Sequence, residues 1–427
     1  MRCDDILFPA LAAWEINTEC NHKCKYCYNY RCVSAKQREY SEDKMNQVSD
    51  FIISRKPIGV FISGGEPLLL YPLLKKQIEK FESAGVFVSI YTNGALINED
   101  IARFLGEMRV RVMVSFPSVY ENEFAETVTS GTTYNKVVEG LRLLKKYSVR
   151  VEPNIVVTKI NYNSVEETVE YLQKEFSPRK IFISRATRPS NADTEFDRIA
   201  LSRQELNAVF DRCTELSRKY AIEMGTCGGF APCVFDDPET RAVFGKTCAF
   251  GINGYAVNTD GDVKICVRES RSYGNIFTDR FEDIRANMCQ WLDMPVPVEC
   301  SGCEYVDGCR GGCKFAVKSG ESELAYMDCD ACVEAGKRVH FAKRKHTKHR
   351  ITDSFIVKDI AFVEDQHSTR ASVGFNYFYM NNGLAKLLKR KSEFTVLGLC
   401  VRLRLGYKHA CRIIDKLLAN KMVEKNG

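Results

Sequence analysis

Short runs of apolar, often β-branched or aromatic residues alternate with helical patterns over the first 220 positions of the chain. The runs have the length of strands, and the segments between them repeat their apolar positions as one face of a helix does. Six strand–helix units in succession predict a parallel sheet, open or partly closed into a barrel. The predicted strands are Ala12–Thr18, Gly59–Ser63, Val86–Tyr91, Val110–Phe116, Arg150–Thr158 and Lys180–Ser184. The predicted helices are Glu42–Ser54, Pro72–Ala84, Glu99–Gly106, Asn135–Tyr147, Val165–Phe176 and, closing the region, Arg203–Tyr220.

The pattern changes twice after this region. From about 221 to 335 Gly and Cys dominate and regular periodicity is lost, so we expect a covalent or metal link to hold this segment together. A basic connector, Lys337–Arg350, follows. Beyond it the pattern predicts strands Phe355–Val363 and Ser372–Met380, then helices Leu384–Lys391 and Lys408–Asn420. We therefore expect three units, at residues 1–220, 221–336 and 337–427.

Composition narrows the class of protein. The chain of 427 residues is 45% apolar and 27% charged, which is typical of a globular protein. It has no run of eighteen or more apolar residues, so no membrane span is expected. The apolar run Ile6–Trp14 lacks the basic leader and cleavage site of a signal peptide, which predicts a cytoplasmic location. In such a reducing compartment, 19 cysteines indicate metal ligands rather than a disulfide framework.

The first cysteine group is Cys20-x₃-Cys24-x₂-Cys27, in the loop directly after the first predicted strand. Three thiolates can hold three irons of a [4Fe–4S] cluster and leave the fourth iron without a protein ligand. An iron left open in this way is what a chelating substrate needs. For the motif taken alone, a zinc half-site is the alternative.

Polar loops follow the next two predicted strands. The second strand runs into Gly64-Gly65-Glu66-Pro67, where paired glycines allow the backbone to approach a ligand closely and Glu66 can accept from an ammonium group. The third strand ends at Tyr91-Thr92-Asn93-Gly94. Ligands of parallel α/β sheets bind outside the carboxyl ends of the strands, so these loops and the cysteine group are expected to form one site.

Together these residues resemble the radical SAM superfamily over about the first 190 positions. The resemblance implies a partial (β/α)₆ barrel in which Cys20, Cys24 and Cys27 hold a [4Fe–4S] cluster. S-adenosylmethionine (SAM) would chelate the open iron, and the 5′-deoxyadenosyl radical made from it would take a hydrogen atom from a substrate carbon. Glu66 and the adjacent glycine backbone would hold the methionine ammonium. The other cofactor-binding residues that the resemblance implies are Gly64, Gly65 and Pro67, Tyr26 near the adenine, and Asn93, Ser115 and Asn154 at strand ends that line the ribose and carboxylate.

A second group of cysteines lies in the Gly- and Cys-rich segment. Its spacing is Cys248-x₁₂-Gly261-x₄-Cys266, then Cys300-x₂-Cys303-x₅-Cys309-x₃-Cys313, then Cys329. Zinc is the alternative, because a Cys-x₂-Cys knuckle with two later cysteines suits a tetrahedral site. The whole spacing resembles the SPASM domain, which follows the barrel in radical SAM enzymes that modify peptides and proteins.

This second resemblance implies two auxiliary [4Fe–4S] clusters. The outer cluster would be held by Cys300, Cys303, Cys309 and Cys329, and the inner one by Cys248, Cys266 and Cys313. Residues 249–256 lack the further cysteine that completes the inner cluster in some members. Either Cys227 or Cys233 then supplies the fourth ligand, or an iron stays open and can bind a substrate thiolate. Cys332 is an alternative to Cys329.

The C-terminal part is basic. Residues 337–427 hold 20 Lys and Arg against 7 Asp and Glu, whereas the rest of the chain has an excess of acidic residues. The helical pattern Lys408–Asn420, with Ile413, Ile414, Leu417 and Leu418 toward its core, weakly resembles a winged helix. Such a unit can capture an acidic leader peptide by strand addition, bind nucleic acid, or serve as a stabilising appendage.

The hypothesis favoured by the sequence is a radical SAM oxidoreductase that modifies a ribosomally made peptide. It would form a C–S or C–C crosslink, and an auxiliary cluster would accept the surplus electron. A reductase, flavodoxin or ferredoxin would supply electrons. The second hypothesis is an anaerobic sulfatase-maturating, formylglycine-forming oxidase. Val267 disfavours it, because that family has an aspartate base at this position. The third hypothesis is an iron–sulfur DNA-binding regulator. The sequence identifies no catalytic side chain outside the cofactor and metal sites.

Overall fold

The fold was analysed in a computed structural model of the chain. The structure describes residues 11–29, 40–129, 133–187, 194–245, 248, 250, 254–289, 300, 309 and 311–313, and shorter C-terminal stretches at 354–357, 361–364, 369–373, 376–380, 384–385, 388–389, 393–395, 413–415, 417–418 and 422–425.

One nine-stranded sheet organises most of these residues. Its first six strands are parallel neighbours in chain order, β1 to β6, and the helices between them cover one face. The strands are β1 (Leu11–Asn17), β2 (Gly59–Gly64), β3 (Phe87–Thr92), β4 (Arg111–Ser115), β5 (Arg150–Val157) and β6 (Lys180–Arg185). The helices are α1 (Glu42–Ser54), α2 (Tyr71–Ser83), α3 (Glu99–Glu107), α4 (Glu121–Val128), α5 (Tyr134–Lys146), α6 (Val165–Phe176), α7 (Thr194–Ile199) and α8 (Arg203–Lys219).

The alternation of side chains along the strands gives the sheet two different faces. In β4, Val112 and Val114 are fully buried in the hydrophobic cluster formed with the helices. Arg111, Met113 and Ser115 alternate with them and therefore lie on the opposite face, called the inner face below. In register across the sheet, Met113 lies beside Glu152 of β5 and Tyr91 of β3, so the inner face is partly polar.

Helix starts follow local signals that can be read from the sequence. Ser202 and Glu205 form a reciprocal capping box at the start of α8, and the Asn98 side chain accepts from the Ile101 N–H at the start of α3. Sequence patterns missed α4 and α7, which have eight and six residues. Helices this short contain too few turns for a clear apolar period.

The sheet continues beyond residue 220. Strand β7 (Glu223–Gly225) extends it next to β6, and β8 (Gly254–Val257) pairs in parallel with β1 before β9 (Val263–Lys264) returns antiparallel. An ion pair between Lys264 and Glu15, both nearly buried, links β9 to β1. Between β7 and β8 lies α9 (Pro238–Phe244), and α10 (Phe281–Cys289) follows β9. The parallel α/β sheet expected for a partial barrel is thus confirmed.

Two strand predictions in the C-terminal part are wrong in extent. The run Phe355–Val363 forms two strands in different sheets, β10 (Ser354–Val357) and β11 (Ala361–Glu364). The run Ser372–Met380 forms a hairpin of β12 (Thr369–Val373) and β13 (Asn376–Met380), with Val373 opposite Asn376. In the sequence a glycine, at position 374, stands within that run, and a glycine between two apolar runs is a hairpin signal.

The rest of the C-terminal part is antiparallel and helical where it is described. Strand β10 lies between β14 (Glu393–Thr395) and β15 (Val423–Lys425), and the buried rings of Phe355 and Phe394 stack with centroids 5.7 Å apart. Ile414 and Leu417 are buried in helical segments, as the apolar pattern predicted. The predicted connector Lys337–Arg350 lies outside the described residues. Among the residues that are described, no helix is both long and apolar enough to cross a lipid bilayer.

Candidate functional site

The first three cysteines lie close together in the loop that leaves the carboxyl end of β1. The Cys27 N–H donates to the Cys24 carbonyl at 3.0 Å, and the thiols of Cys20 and Cys27 are both electrostatic neighbours of Cys24. Burial raises the pKa of Cys20 to about 11 and also raises the pKa of Cys24 and Cys27. The thiols are therefore protonated at neutral pH unless a metal displaces the protons.

This loop is held against α4 by its backbone. The Lys23 N–H donates to the Val128 carbonyl at 3.2 Å, and the Lys25 N–H donates to the Thr127 carbonyl at 3.0 Å. The short helix α4, which the sequence patterns missed, therefore holds the cysteine loop in place through backbone hydrogen bonds at its C-terminal end.

The glycine pair after β2 lets two parts of the chain meet. A Cβ on Gly65 would overlap the backbone carbonyl of Glu19, the residue before Cys20, and a Cβ on Gly64 would overlap the Asn17 carbonyl. Because Gly65 has no side chain, its N–H donates to the Asn17 carbonyl at 3.0 Å, and the Glu66 N–H donates to the Glu19 carbonyl at 2.7 Å. The glycines were expected to admit a ligand; in the structure they admit the start of the cysteine loop.

Glu66 is 1% exposed, and its carboxylate accepts three hydrogen bonds from the protein. The donors are the Leu68 N–H at 3.1 Å, the Thr92 hydroxyl at 2.7 Å and the Asn93 N–H at 2.8 Å. Burial raises the pKa of Glu66, while these three hydrogen bonds lower it. The carboxylate thus ties the loop after β2 to the end of β3.

Asn93 connects this arrangement to the first cysteine. Its amide Nδ2 donates to Asn21 Oδ1 at 2.8 Å and lies 3.9 Å from Cys20 Sγ. The ends of β1, β2 and β3 therefore meet at the cysteine loop, as the order of motifs predicted.

Tyr26, Ser115 and Asn154 lie farther round the same end of the sheet. The Tyr26 hydroxyl hydrogen-bonds with Ser115 and Cys24, and its pKa is raised by burial. Asn154, opposite Ser115 in the β4–β5 register, accepts from the Ser184 hydroxyl at 2.7 Å. Tyr26 lies within the cysteine loop and thus joins that loop to Ser115 at the end of β4, whereas Asn154 contacts β6.

Three cysteines of the second group surround one arginine. Arg268 Nη1 lies 3.9 Å from Cys313 Sγ, and Cys266 and Cys248 are further electrostatic neighbours of the guanidinium. Burial raises the pKa of Cys266 to about 12 and raises that of Cys248. The positions that the SPASM resemblance assigned to the inner cluster are brought together here from three separate parts of the chain.

The two upstream cysteines differ in their surroundings. Cys227 Sγ lies 3.3 Å from Met113 Sδ on the inner face, and Arg268 is one of its electrostatic neighbours. Cys233 packs against the hydrophobic cluster, and its carbonyl accepts from Arg203 at 3.5 Å. Cys227 is therefore the better placed of the two toward the second group.

The outer cysteine set can be followed only in part. Cys300 and Cys309 are both partly buried, and Cys309 packs against the hydrophobic cluster. Cys303, Cys329 and Cys332 lie outside the described residues.

The donor set suits an iron–sulfur cube. Within the described part of the chain, no three His, Cys, Asp or Glu side chains are close enough together to hold one metal ion. In a [4Fe–4S] cluster each thiolate binds a different iron, so the thiols surround the cube and need not converge on one ion. The first group offers three such thiols in one loop, beside buried His22, whose ring nitrogens have no hydrogen-bond partner among the described residues.

Comparison with known proteins identifies this arrangement. Residues 14–172, from the middle of β1 to α6, match the family model of the radical SAM superfamily. This part of the chain is a radical SAM domain. The chain therefore contains a radical SAM domain, and Cys20, Cys24 and Cys27 lie within the matched residues.

Sequence similarity to known proteins extends beyond the radical SAM domain. The chain is 23% identical over 327 residues to a cysteine-type anaerobic sulfatase-maturating enzyme of Clostridium novyi, covering 70% of this chain and 86% of the relative. It is 22% identical over 350 residues to the radical SAM cyclopropyl synthase TigE of Paramaledivibacter caminithermalis, covering 74% of this chain and 70% of the relative. Its fold is similar to that of Streptococcus suis SuiB bound to its precursor peptide SuiA, with a TM-score of 0.62, 16% identity and 76% of each chain covered.

The sequence motifs did not identify several residues that shape the candidate site. Buried Asn17 donates to the Glu66 carbonyl at 2.7 Å and accepts from the Gly65 N–H at 3.1 Å. A polar residue at the end of a mostly apolar strand, three positions before Cys20, was the signal in the sequence. Arg268 could have been noticed as a charge two positions after Cys266, in a segment where cysteines are expected to bind metal.

The role of Glu66 gives a first prediction. Gln at this position would turn an NH₂ group toward a backbone N–H, because each carboxylate oxygen faces at least one such donor. The E66Q variant should be less stable by about 1–3 kcal/mol and should bind SAM more weakly, as measured by urea denaturation and equilibrium dialysis. E170Q, in an exposed ion pair on α6, is the control and should change stability by less than about 0.5 kcal/mol. Equal stability and SAM affinity in both variants would contradict the positioning role of Glu66.

Proposed function

We propose that this radical SAM enzyme modifies a ribosomally made peptide by forming a C–S or C–C crosslink. The observation that carries the proposal is the second group of thiols, Cys248, Cys266 and Cys313, of which Cys248 is an electrostatic neighbour of Tyr91 on β3. Hydrogen abstraction alone needs only the first group. Crosslinking is an oxidation, so it also needs a place for the electron that remains after a proton has left the peptide.

The proposed metal-binding residues divide among three centres. Cys20, Cys24 and Cys27 would hold the cluster that binds SAM, whose methionine part would lie near Asn93 and the Glu66 loop. Cys248, Cys266 and Cys313 would hold the inner auxiliary cluster, with Cys227 as the candidate fourth ligand; the outer one is proposed on Cys300, Cys303, Cys309 and Cys329. When bound, these groups would supply one electron to cleave SAM and an acceptor for the electron left over by crosslinking.

The protein's own contribution is orientation and a shielded inner face. Arg111 Nη1 lies 3.3 Å from Glu152 Oε2 across β4 and β5, and Glu152 is 1% exposed. Tyr91 lies beside Met113 in the same row, and burial raises its pKa. Such a lining presents polar groups to a peptide while limiting the water that reaches a reactive carbon.

The positive charge and the small sheet of the C-terminal region indicate how a peptide partner would bind. The described C-terminal strands β11, β12 and β13 form a small antiparallel sheet in a region whose net charge is strongly positive. An acidic leader segment could add as a strand to this sheet, since strand addition uses main-chain hydrogen bonds and charge sets the preference. A flavodoxin, ferredoxin or reductase would deliver the electron for each SAM cleavage. A peptide substrate is supported by the similarity in fold to SuiB, which binds the precursor peptide SuiA.

The test is incubation of the reduced enzyme with SAM and the peptide encoded beside its gene. We expect 5′-deoxyadenosine together with a peptide that has lost two hydrogen atoms, located by tandem mass spectrometry. An enzyme in which Cys20, Cys24 and Cys27 are replaced by alanine is the control and should give neither product. If 5′-deoxyadenosine forms but the mass of the peptide stays the same, crosslinking is rejected.

Sulfatase maturation is a second candidate, favoured by the relative from Clostridium novyi. That reaction also oxidises one residue of a protein, so it needs the same two kinds of centre. Val267, directly after Cys266, would then require a proton acceptor from elsewhere on the inner face. A peptide carrying a sulfatase-type cysteine or serine separates the two candidates, because only maturation yields an aldehyde that reacts with a hydrazide probe.

A further inference from the structure

Arg268 lies where three distant cysteines meet. It follows Cys266 by two positions in the loop after β9, and its Nη1 lies 3.9 Å from Cys313 Sγ. Cys266 and Cys248 in turn have Arg268 among their electrostatic neighbours. One cation thus faces the thiols proposed for the inner auxiliary cluster.

The partly buried guanidinium of Arg268 needs a negatively charged partner to offset its charge. A guanidinium stays protonated in proteins, and a partly buried one needs an anionic or strongly polar partner. Neutral thiols offset a buried cation poorly, whereas thiolates bound to iron carry the charge that it needs.

The guanidinium also lies between the two cysteine groups. Tyr28, the residue after Cys27, is another of its electrostatic neighbours. On the other side, a Cβ built on Gly228 would lie 3.7 Å from Arg268 Nη1, which places the guanidinium against the backbone next to Cys227. Arg271, three positions later, differs: it is exposed, and its guanidinium lies 4.7 Å from the centroid of the Tyr273 ring.

We propose that Arg268 sets the reduction potential of the inner auxiliary cluster by holding its positive charge against the cysteine sulfurs. Reduction adds one negative charge to a cluster, so a nearby cation stabilises the reduced state more than the oxidised state. The potential is raised, and the cluster is a better electron acceptor. This role rests on the proposed function, because it requires the auxiliary cluster on Cys248, Cys266 and Cys313.

The test is a redox titration of the full chain followed by electron paramagnetic resonance. Cys20, Cys24 and Cys27 are replaced by alanine in the parent protein so that only auxiliary clusters give a signal. In that parent, R268Q should lower the equilibrium constant for one-electron reduction at least tenfold, which is about 59 mV. R268K keeps the charge but loses the planar fork, and it should lower the constant about threefold. R271Q is the matched control in the same loop and should leave the potential unchanged.

The outcomes separate the two levels of the proposal. If neither the wild-type protein nor the parent shows an auxiliary cluster, the proposed function itself is wrong. If the clusters assemble and R268Q has the potential of the parent or a higher one, only the role of Arg268 is overturned. Should R268Q fail to hold iron, R268K decides because it keeps the charge: a potential close to that of the parent supports the role of the charge, whereas a raised potential or a fall of tenfold or more in the reduction constant overturns it.

Discussion

Replacing Cys20, Cys24 and Cys27 by alanine is expected to abolish SAM cleavage while the rest of the protein stays folded. The three thiols lie in one loop at the carboxyl end of β1 and provide the whole sulfur donor set proposed for the SAM cluster. Iron should fall by about four atoms per chain, since one [4Fe–4S] cluster is lost. 5′-Deoxyadenosine, measured by chromatography after reduction with dithionite, should fall to the background of a reaction without enzyme.

The matched control removes a cysteine outside both groups. Cys213 is fully buried in α8, within the hydrophobic cluster, and burial raises its pKa, so it behaves as a small apolar side chain. C213A should keep the iron content and the SAM cleavage of the wild type, at a modest loss of stability. Unchanged iron and continued 5′-deoxyadenosine formation in the triple variant would place the SAM cluster elsewhere in the chain.

Alanine at Gly65 is expected to be nearly as damaging, although the residue binds no iron. A Cβ there would overlap the backbone of Glu19, which is bonded to Cys20 and cannot move without moving the cysteine loop. The hydrogen bonds from the Gly65 and Glu66 N–H groups to Asn17 and Glu19 would be lost or stretched. We expect a loss of about 3 kcal/mol in stability, the upper part of the usual range for overpacking, together with loss of the SAM cluster.

Gly85 supplies the control for this prediction. It lies in the turn after α2, where a Cβ would meet nothing within 4 Å, although its φ of +71° strains any L side chain. G85A should therefore cost about 1–2 kcal/mol and leave iron content and SAM cleavage intact. Iron content is measured per folded chain in both variants. A G65A protein that holds a full SAM cluster would show that the close approach at Gly65 is not needed.

Much of the fold could be predicted because its signals are local and repeated. In β4 and its neighbours, strand-length apolar runs separate helices with a clear apolar period, and the predicted helix Glu42–Ser54 agrees with α1 at both ends. The C-terminal strands were harder because hairpins join apolar runs across short turns. In such sequences a single glycine is the only signal that separates two short strands from one long one.

The site was predictable where chemistry fixes the spacing of residues. Cysteines at short intervals after a strand indicate a cluster, because thiolates must reach neighbouring irons from one loop. The same reasoning did not show that the glycines at 64 and 65 also make room for Asn17 and Glu19, since spacing does not reveal which parts of the chain lie beside them. Arg268 and Asn17 depend on contacts between distant segments, and such contacts leave no periodic trace in the sequence.

The most direct measurement is electron–nuclear double resonance on the reduced SAM cluster with isotopically labelled SAM. The enzyme is reconstituted anaerobically, reduced, and mixed with SAM that carries ¹⁵N in its methionine amino group. A ¹⁵N hyperfine coupling to the cluster is expected in the wild type and is expected to be absent from the triple cysteine variant. A fully assembled, reduced cluster that shows no coupling to the labelled nitrogen would contradict the claim that Cys20, Cys24 and Cys27 leave one iron open to SAM.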